Sequence, residues 1–220
     1  AGSYFDPRAI PPGEDEAVVE AVAGFERVIV EAHPAFLSGA AGERCLRLRD
    51  RLPGRLEVAI GLETAHPEAL ARLNKRMTVE SFTAAAGWLR AHDIDLRVFV
   101  LLNPPGLQGS EAVEWTCRSV DLAAACGATA VSIIPTRGGN GAMEALGGAY
   151  VPPRLPALEA VVEHGIARGG LRVFADLWEV KRFFECACAP ARAARLGAMN
   201  RSGAIEPPVE CDCDGPRRRG

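Results

Sequence analysis

The sequence of 220 residues has no long apolar run and no excess of positive charge. No stretch reaches the roughly 20 apolar residues that a membrane-spanning helix requires. The first residues also lack the charged and apolar regions of a signal peptide. We therefore expect a cytoplasmic protein that does not associate with membranes.

Basic surface is scarce, because the formal net charge is -3 at pH 7. The strongly cationic run Pro216-Arg217-Arg218-Arg219 stands near the end of the chain, and a solvated tail explains it better than a nucleic-acid patch. The overall charge therefore gives no independent indication of a nucleic-acid partner.

Several catalytic signatures are missing as well. The sequence contains no G-x-S-x-G motif, which argues against a hydrolase built on a nucleophile elbow. The glycine-rich segment Pro135 to Gly141 lacks the Lys-Ser or Lys-Thr pair that would make it a phosphate-binding P-loop. The four histidines fall on different segments without the spacing of metal ligands, so we expect surface or capping roles for them.

Hydrophobic residues make up 48% of the chain, which is enough for one sizeable core. Short β-branched runs alternate with longer amphipathic stretches, a pattern typical of a parallel sheet with crossover helices. The predicted strands are Val28 to Glu31, Leu56 to Glu63, Leu96 to Leu102, Ala130 to Ile134 and Leu171 to Ala175. The predicted helices cover residues 14–24, 41–52, 79–92, 110–126 and 155–168, with Thr78 as the N-cap of the third. The sequence thus predicts an α/β fold over residues 1–178 and a cysteine-rich C-terminal extension over residues 179–220.

Carboxylates end the first two predicted strands, at the side where parallel α/β barrels bind their ligands. They belong to Glu31 and Glu63. Each can accept hydrogen bonds from a ribose diol or an ammonium group. The alternative is a structural ion pair with an arginine such as Arg27 or Arg55.

The next strands are also followed by candidate ligand-binding residues. Asn103 begins an Asn-Pro-Pro-Gly turn, which either contacts a ligand through its amide or serves only as a rigid bend. Thr136 and Asn140 lie in a glycine-rich segment that allows the backbone to approach a ligand closely. Asp176 and Trp178 close the last strand, where they would line the substrate side, but the sequence favours Trp178 as a buried anchor for the C-terminal extension.

Seven cysteines, an odd number, do not match the disulfide pattern of a small secreted domain. Cys186 and Cys188 form one C-x-C pair, and Cys211 and Cys213 form another. Residues two apart on an extended segment face the same way, so the two pairs together can complete a tetrahedral zinc site. Reduced thiols without a metal are the alternative.

The other cysteines lie in predicted helices and are expected in the core: Cys45, Cys117 and Cys126.

The segment Val58 to Phe82 resembles a known family. Its apolar run closes on Gly61-Leu62-Glu63-Thr64, and Leu73-Asn74-Lys75-Arg76-Met77-Thr78 follows downstream. This segment resembles the fourth strand and following helix of radical S-adenosylmethionine (radical SAM) enzymes. The resemblance is nearest to the branch that contains the archaeosine-pathway lyase and the Elp3-like and MiaB-like tRNA-modifying enzymes. The C-x-x-x-C-x-x-C cluster loop of that superfamily does not occur in this sequence.

The resemblance implies a partial (β/α) barrel of parallel strands that is incomplete at the N-terminus. The opening residues Ala1 to Arg8 resemble the segment after the second strand in that branch. On this alignment the chain is a fragment, and the cluster loop would precede it. The open sheet edge near Val28 is then expected to pair with a partner chain or to aggregate.

The resemblance also implies a chemistry. Enzymes of this superfamily cleave S-adenosylmethionine at a 4Fe-4S cluster to give a 5'-deoxyadenosyl radical, which abstracts hydrogen from a substrate. The implied substrate is a modified nucleoside, with tRNA as the implied partner. The residues expected at the cofactor are Glu31, Glu63, Asn103, Thr136 and Asn140.

Two other interpretations stay open. In the first, the chain is an incomplete barrel that acts as a non-catalytic binding module, with a structural zinc site in its tail. In the second, it is a metal-independent barrel enzyme such as an aldolase or isomerase, although the expected lysine or paired catalytic carboxylate is missing from the strand ends.

Overall fold

The computed structural model describes residues 3–138 and 150–211. Within these ranges, five strands form one parallel sheet in the order β1-β2-β3-β4-β5. The strands are β1 Arg27–Glu31, β2 Arg55–Glu63, β3 Asp95–Leu102, β4 Ala130–Pro135 and β5 Arg172–Ala175. Each strand pairs with the next along the chain, so the predicted α/β fold, a partial (β/α) barrel of parallel strands, is confirmed.

Helices connect the strands and pack against one side of the sheet. They are α1 Asp15–Ala21, α2 Gly39–Arg51, α3 Pro67–Arg72, α4 Val79–Ala91, α5 Gly109–Ala125, α6 Leu155–Arg168 and α7 Ala189–Ser202. Among these described helices, none combines the length and the hydropathy that a membrane span needs.

The sequence did not predict α3 or α7. With six residues, α3 is too short for a helical period to be recognised. Helix α7 lies within the segment interpreted as a C-terminal extension, and its Leu196 and Met199 are fully buried in the same core as the strands. The division of the chain at residue 178 stays a prediction.

The N-terminus of α4 is fixed by the predicted cap. The Thr78 hydroxyl accepts a hydrogen bond from the Ser81 amide at 3.2 Å, and the Ser81 hydroxyl accepts one from the Thr78 amide at 3.0 Å. This reciprocal capping box satisfies two amides that the helix itself leaves unpaired. It confirms Thr78 as the N-cap and holds the preceding loop, which carries Lys75, in place.

The two faces of the sheet differ in exposure. In β3, Leu96, Val98, Val100 and Leu102 are buried against the helices, whereas the alternate residues are partly exposed. Strands β4 and β5 show the same alternation, as the two-residue period of a strand requires. The partly exposed side is called the inner face here; it consists of Ala59, Gly61, Phe99, Leu101, Ser132, Ile134 and Phe174.

The two edges of the sheet are treated differently. At the β5 edge, the Asn200 side chain accepts a hydrogen bond from the Ala175 amide and donates one to the Ala175 carbonyl, both at 2.8 Å. At the β1 edge, the Tyr4 amide donates to the Glu31 carbonyl at 2.8 Å. Ile29, in the middle of β1, is 48% exposed. At the β5 edge a side-chain amide thus forms the hydrogen bonds that a neighbouring strand would form. The β1 edge is covered at its carboxyl end.

A buried charge cluster closes the amino ends of the strands. The Glu57 carboxylate, with no exposed surface, accepts hydrogen bonds from Arg27 at 2.9 Å, Arg97 at 2.5 Å and Arg172 at 2.9 Å. These residues come from β1, β2, β3 and β5, so one carboxylate ties four strands together. Asp95 extends the cluster, because it binds Arg27 and also accepts from Arg55 at 2.8 Å.

We expect Asp95→Asn to lose stability mainly at neutral pH. Burial acts to raise the pKa of Asp95, but hydrogen bonds and positive charge from Arg55 and Arg27 outweigh burial and hold this pKa below its ordinary value. A carboxyl group with a lowered pKa stabilises the folded state above its unfolded pKa of about 3.9, and this contribution is lost as the pH falls through the folded pKa. Urea unfolding midpoints at pH 7 and pH 3 should therefore show a gap between parent and variant that narrows in acid.

The control is Asp50→Asn, because Asp50 is largely exposed and pairs with its neighbour Arg49. Its midpoint should follow that of the parent at both pH values. A gap for Asp95→Asn that stays constant down to pH 3 would contradict the ion-pair explanation.

Candidate functional site

The inner face lines an open cleft at the carboxyl ends of the strands. Two adjoining cavities of about 540 and 350 Å³ share Glu31, Glu63, Lys75 and Phe99 in their walls. Ligand pockets commonly have volumes of this order. The apolar part of the larger cavity consists of Phe99, Leu101, Ile134, Phe174 and Ala175. The cleft thus combines an apolar wall with carboxylates at its rim, which suits a ligand with a flat ring and hydroxyl groups.

Glu63 is the most constrained of the rim residues. It stands at the end of β2, where the pairing with β3 is shifted by a bulge, and its φ of 63° is a left-handed value that glutamate seldom adopts. Its side chain folds back over Gly61, since a Cβ atom there would lie 2.5 Å from the Glu63 Oε1 atom. The residue is only 5% exposed. Backbone strain of this kind is concentrated at functional sites.

Lys75 is the partner of this carboxylate. Its ammonium group donates a hydrogen bond to Glu63 Oε1, and its side chain is 50% exposed. The alternative that Glu63 or Glu31 pairs with Arg27 or Arg55 is wrong for Glu63. Both arginines lie at the amino ends of the strands, where they bind the charge cluster described above.

The sequence alone assigns no role to Lys75, although this residue lies in the segment Val58 to Phe82 that resembles radical SAM enzymes. It belongs to the loop between α3 and α4, in which Asn74 and Arg76 have positive φ values of 50° and 51°. These kinks turn the Lys75 side chain toward the cleft. Positive φ values at Asn74 and Arg76 cannot be recognised in a loop that contains no glycine, so only the structure identifies Lys75.

His33 contacts the loop between α3 and α4 that carries Lys75. Its Nδ1 atom accepts a hydrogen bond from the Ala35 amide at 3.2 Å, which leaves the proton on Nε2. Nε2 lies 2.9 Å from the Lys75 carbonyl oxygen, to which it donates. His66 caps α3 by accepting from the Ala69 amide at 3.2 Å. The capping role predicted for the histidines is confirmed at these two positions.

Glu31 lies at the end of β1 and faces both cavities. It is more exposed than Glu63 and ends the strand at the open edge of the sheet. A ligand in the cleft would therefore meet two carboxylates from neighbouring strands, one buried and one exposed.

Asn103 and Thr136 stand at the carboxyl ends of β3 and β4, on the same edge of the sheet as Glu63. Both are buried, and their side chains are directed into the protein. The Asn103 amide group donates to the Val151 carbonyl at 3.2 Å, and the Thr136 hydroxyl donates to the Leu102 carbonyl at 2.8 Å. The cofactor contacts expected of them stay a prediction, and Asn140 lies outside the described residues.

The rim beyond β5 carries Asp176 and Trp178. Asp176 lines the larger cavity and forms a salt bridge with Arg137 at 2.9 Å. Trp178 is 69% exposed, so its interpretation as a buried anchor is wrong.

Three of the four cysteines predicted as metal ligands come together. The sulfur atoms of Cys186, Cys188 and Cys211 all lie within 4.8 Å of one another, and Cys213 lies outside the described residues. Zinc with thiolate ligands at about 2.3 Å holds its sulfurs at similar mutual distances. The donor set therefore fits a zinc ion.

The helix α7 and the segment after it bring these cysteines together. Cys188 is the N-cap of α7. In the middle of α7, Arg195 donates hydrogen bonds to the Glu206 carbonyl at 2.5 Å and to the Pro207 carbonyl at 2.8 Å, which returns the chain toward Cys211. Arg195 is itself fixed by a salt bridge of 3.2 Å to the buried Glu159 on α6.

The other cysteines lie elsewhere. Cys45 is fully buried in the core, and burial raises the pKa of its thiol to about 12, against the opposing charge of Arg49. This confirms the core position predicted for Cys45. Cys117 and Cys126 are partly buried and pack against the core.

No protein-family model matches the sequence. Two curated archaeal proteins are similar to it. Archaeosine synthase subunit beta of Methanosarcina acetivorans is 28% identical over 128 residues, which cover 56% of this chain and 36% of that protein. An uncharacterised protein of Methanocaldococcus jannaschii is 22% identical over 139 residues, which cover 61% of this chain and 37% of that protein. The matches thus span little more than a third of the length of these relatives.

A solved structure shares the fold. Elp3 of Methanocaldococcus infernus, with an N-terminal deletion, superimposes with a TM-score of 0.67 at 13% identity, covering 94% of this chain and 54% of that one. The chain is thus similar in sequence to an archaeosine synthase subunit and similar in fold to Elp3, and both findings support its resemblance to the radical SAM superfamily.

Proposed function

We propose that this chain forms the cofactor-binding C-terminal part of a radical SAM barrel and holds the adenosyl group of S-adenosylmethionine in the cleft. The observation that supports this proposal best is the strained, buried Glu63 beside an apolar wall at the carboxyl ends of the strands. When bound, the cofactor and the iron-sulfur cluster would supply a 5'-deoxyadenosyl radical for hydrogen abstraction. The seven cysteines contain no C-x-x-x-C-x-x-C spacing, so the cluster would be held by residues outside this chain.

In this proposal the residues of the cleft bind and orient the ligand. The Glu63 carboxylate accepts hydrogen bonds from the two ribose hydroxyls, and burial strengthens them by excluding water. The ring packs against Phe99 and Leu101. Lys75 compensates the Glu63 charge while the cleft is empty of ligand, and its half-exposed side chain can move aside toward an anionic part of the cofactor.

The experiment that tests this function uses the complete protein that includes this chain. The protein is reconstituted anaerobically with iron and sulfide, mixed with S-adenosylmethionine and a reductant, and assayed for 5'-deoxyadenosine. Formation of 5'-deoxyadenosine supports the proposal. Its absence with every reductant tried, in a protein shown to hold a 4Fe-4S cluster, would exclude it.

The proposed substrate is a modified nucleoside in tRNA. The name of the similar archaeosine synthase subunit supports this choice, since archaeosine is itself a modified nucleoside. The open β1 edge supports a second proposal, that a strand from another part of the same protein or from a partner subunit continues the barrel there. In both proposals the chain works as part of a larger assembly.

We propose further that the cysteines of the C-terminal segment bind one zinc ion, with Cys213 as the fourth ligand. The arrangement of Cys186, Cys188 and Cys211 supports this proposal. The same site is expected in the alternative function, a non-catalytic binding module with a structural zinc site, so zinc content alone does not distinguish the two. Formation of 5'-deoxyadenosine does.

We expect Cys188→Ser to lose the metal. Removing one of the thiolates should lower zinc affinity at least about tenfold, because the ligands act together on one ion. The measurement is zinc content after gel filtration, together with the thiolate-to-metal absorption of the cobalt-substituted protein. Cys117→Ser is the control, since Cys117 lies on α5, away from the other three sulfurs. Equal metal content in both variants would contradict the site.

A further inference from the structure

Trp178 is an unusually exposed aromatic residue for its position. It lies two residues beyond Asp176, which lines the larger cavity, and 69% of its surface is exposed. The Trp178 amide donates to the Asp176 carboxylate, so the tryptophan lies beside a residue of the cleft rim. A large aromatic ring at the entrance of a ligand cleft is a typical contact for a flat partner.

The ring is held from one side by Arg137. The guanidinium carbon lies 5.4 Å from the centre of the indole ring, and an Arg137 amine donates to the Trp178 carbonyl at 2.6 Å. The same side chain binds Asp176 at 2.9 Å and also lies over the buried Phe183. The Trp178 amide donates to Asp176 at 2.9 Å. These contacts fix the backbone and cover one face of the indole, so the other face is the one available to a partner.

Two cationic residues follow the tryptophan in the chain. Lys181 and Arg182 lie on a short 3-10 helix, Val180–Phe183, and both are exposed, although Arg182 also forms a salt bridge of 3.1 Å with Glu179. Arg182 is oriented by a hydrogen bond to the Gly138 carbonyl at 3.1 Å, on the loop that also carries Arg137. An aromatic platform flanked by cations is the combination that single-stranded nucleic acids bind, with bases on the ring and phosphates on the cations.

We infer that Trp178 is a stacking platform for an unpaired nucleobase of an RNA substrate, with Lys181 and Arg182 as phosphate contacts. The inference rests on the proposed function, and it adds how the substrate would be presented: a neighbouring base stacks on the rim while the reacting nucleoside enters the cleft. The net charge of -3 does not oppose it, because the contact depends on local rather than overall charge. A protein partner would need a broad apolar patch, whereas Trp178 is bordered by charged residues.

The test measures binding of a fluorescein-labelled oligouridine to the 220-residue chain by fluorescence anisotropy. Trp178→Leu keeps an apolar side chain of useful size but removes the aromatic face, and should weaken binding about tenfold. Trp178→Phe keeps a ring and should retain most of the affinity. Lys181→Gln should reduce the dependence of log K on log salt by about 0.7, as expected for one lost phosphate contact on a single strand.

Phe25→Ala is the matched control. Phe25 is 63% exposed, but it precedes β1 at the amino ends of the strands, whereas Trp178 follows β5 at the carboxyl ends. Its removal should leave RNA affinity unchanged. Failure of the parent chain to bind oligouridine at low salt, or equal affinity of the parent and Trp178→Leu, would overturn the inference. A change in apparent mass for Trp178→Leu without a change in RNA affinity would also overturn it, and would identify a protein contact.

The outcome can be separated from that of the proposed function. Trp178→Leu in the complete protein should leave formation of 5'-deoxyadenosine in the absence of RNA unchanged, because Trp178 lies at the rim rather than against Glu63. Loss of RNA binding in a protein that never forms 5'-deoxyadenosine would keep the platform and reject the radical chemistry. Normal 5'-deoxyadenosine formation with unaltered RNA binding would reject only the platform.

Discussion

Replacing Glu63 by glutamine is expected to weaken binding of S-adenosylmethionine to the complete protein by about 10- to 100-fold, the range for losing charged hydrogen bonds. Glutamine keeps the size of the side chain and one acceptor oxygen, but it loses the charge that holds both ribose hydroxyls. The position is 5% exposed, so water cannot replace the lost contacts. Equilibrium dialysis measures binding, and the initial rate of 5'-deoxyadenosine formation should fall at least as much.

Glu68→Gln is the control for this variant. Glu68 lies on α3 close to the same loop, is exposed, and pairs at 3.3 Å with Arg72 one turn further along the helix. Its replacement should leave binding and rate within about twofold of the parent, as expected for a surface ion pair. If Glu63→Gln behaved like Glu68→Gln, the adenosyl group would not lie in this cleft.

Replacing Glu57 by glutamine is expected to lower the free energy of unfolding by about 3 kcal/mol, because three arginines lose the buried negative charge that they share. Arg27, Arg97 and Arg172 all donate to this carboxylate, and a neutral amide cannot offset three guanidinium groups. The measurement is urea unfolding at pH 7. The spacing of the strands at their amino ends should loosen at the same time, which faster hydrogen exchange of the β2 and β3 amides would show.

The matched control for this prediction is Glu43→Gln on α2. Glu43 is largely exposed and its pair with Arg47, at 3.9 Å, is loose. The Glu43→Gln variant should have the same urea unfolding midpoint as the parent protein. A similarly small effect for Glu57→Gln would mean that the arginines find other acceptors, and that the cluster does not hold the strands together.

The strands and most of the helices could be predicted because their signals are local. In β3 a two-residue alternation of apolar side chains appears directly in Leu96, Val98, Val100 and Leu102. The cap of α4 is equally local, since Thr78 and Ser81 lie within one turn. The segment Val58 to Phe82 could be compared with radical SAM enzymes for the same reason. A strand, its terminal carboxylate and the following helix are contiguous in the chain.

The exposure of a side chain beyond the end of a strand is not local in this sense. Trp178 was open to two interpretations, because a tryptophan after a strand can fold inward or outward. The structure decides for the outward one through Arg137, which comes from a different loop. The same applies to Glu63. Its sequence position allows an ion pair with an arginine, but in the structure its partner is Lys75.

The sequence by itself determined the order of the strands, their parallel pairing and the placement of candidate residues at the carboxyl ends, because period and chain order specify these features. Only the tertiary structure decided which residues meet: Lys75 at Glu63, Arg137 at Trp178, and Cys211 at Cys186 and Cys188. Each of these contacts joins a loop or a chain end to a distant segment. Such segments have no periodic pattern, and their positions follow from packing against the sheet.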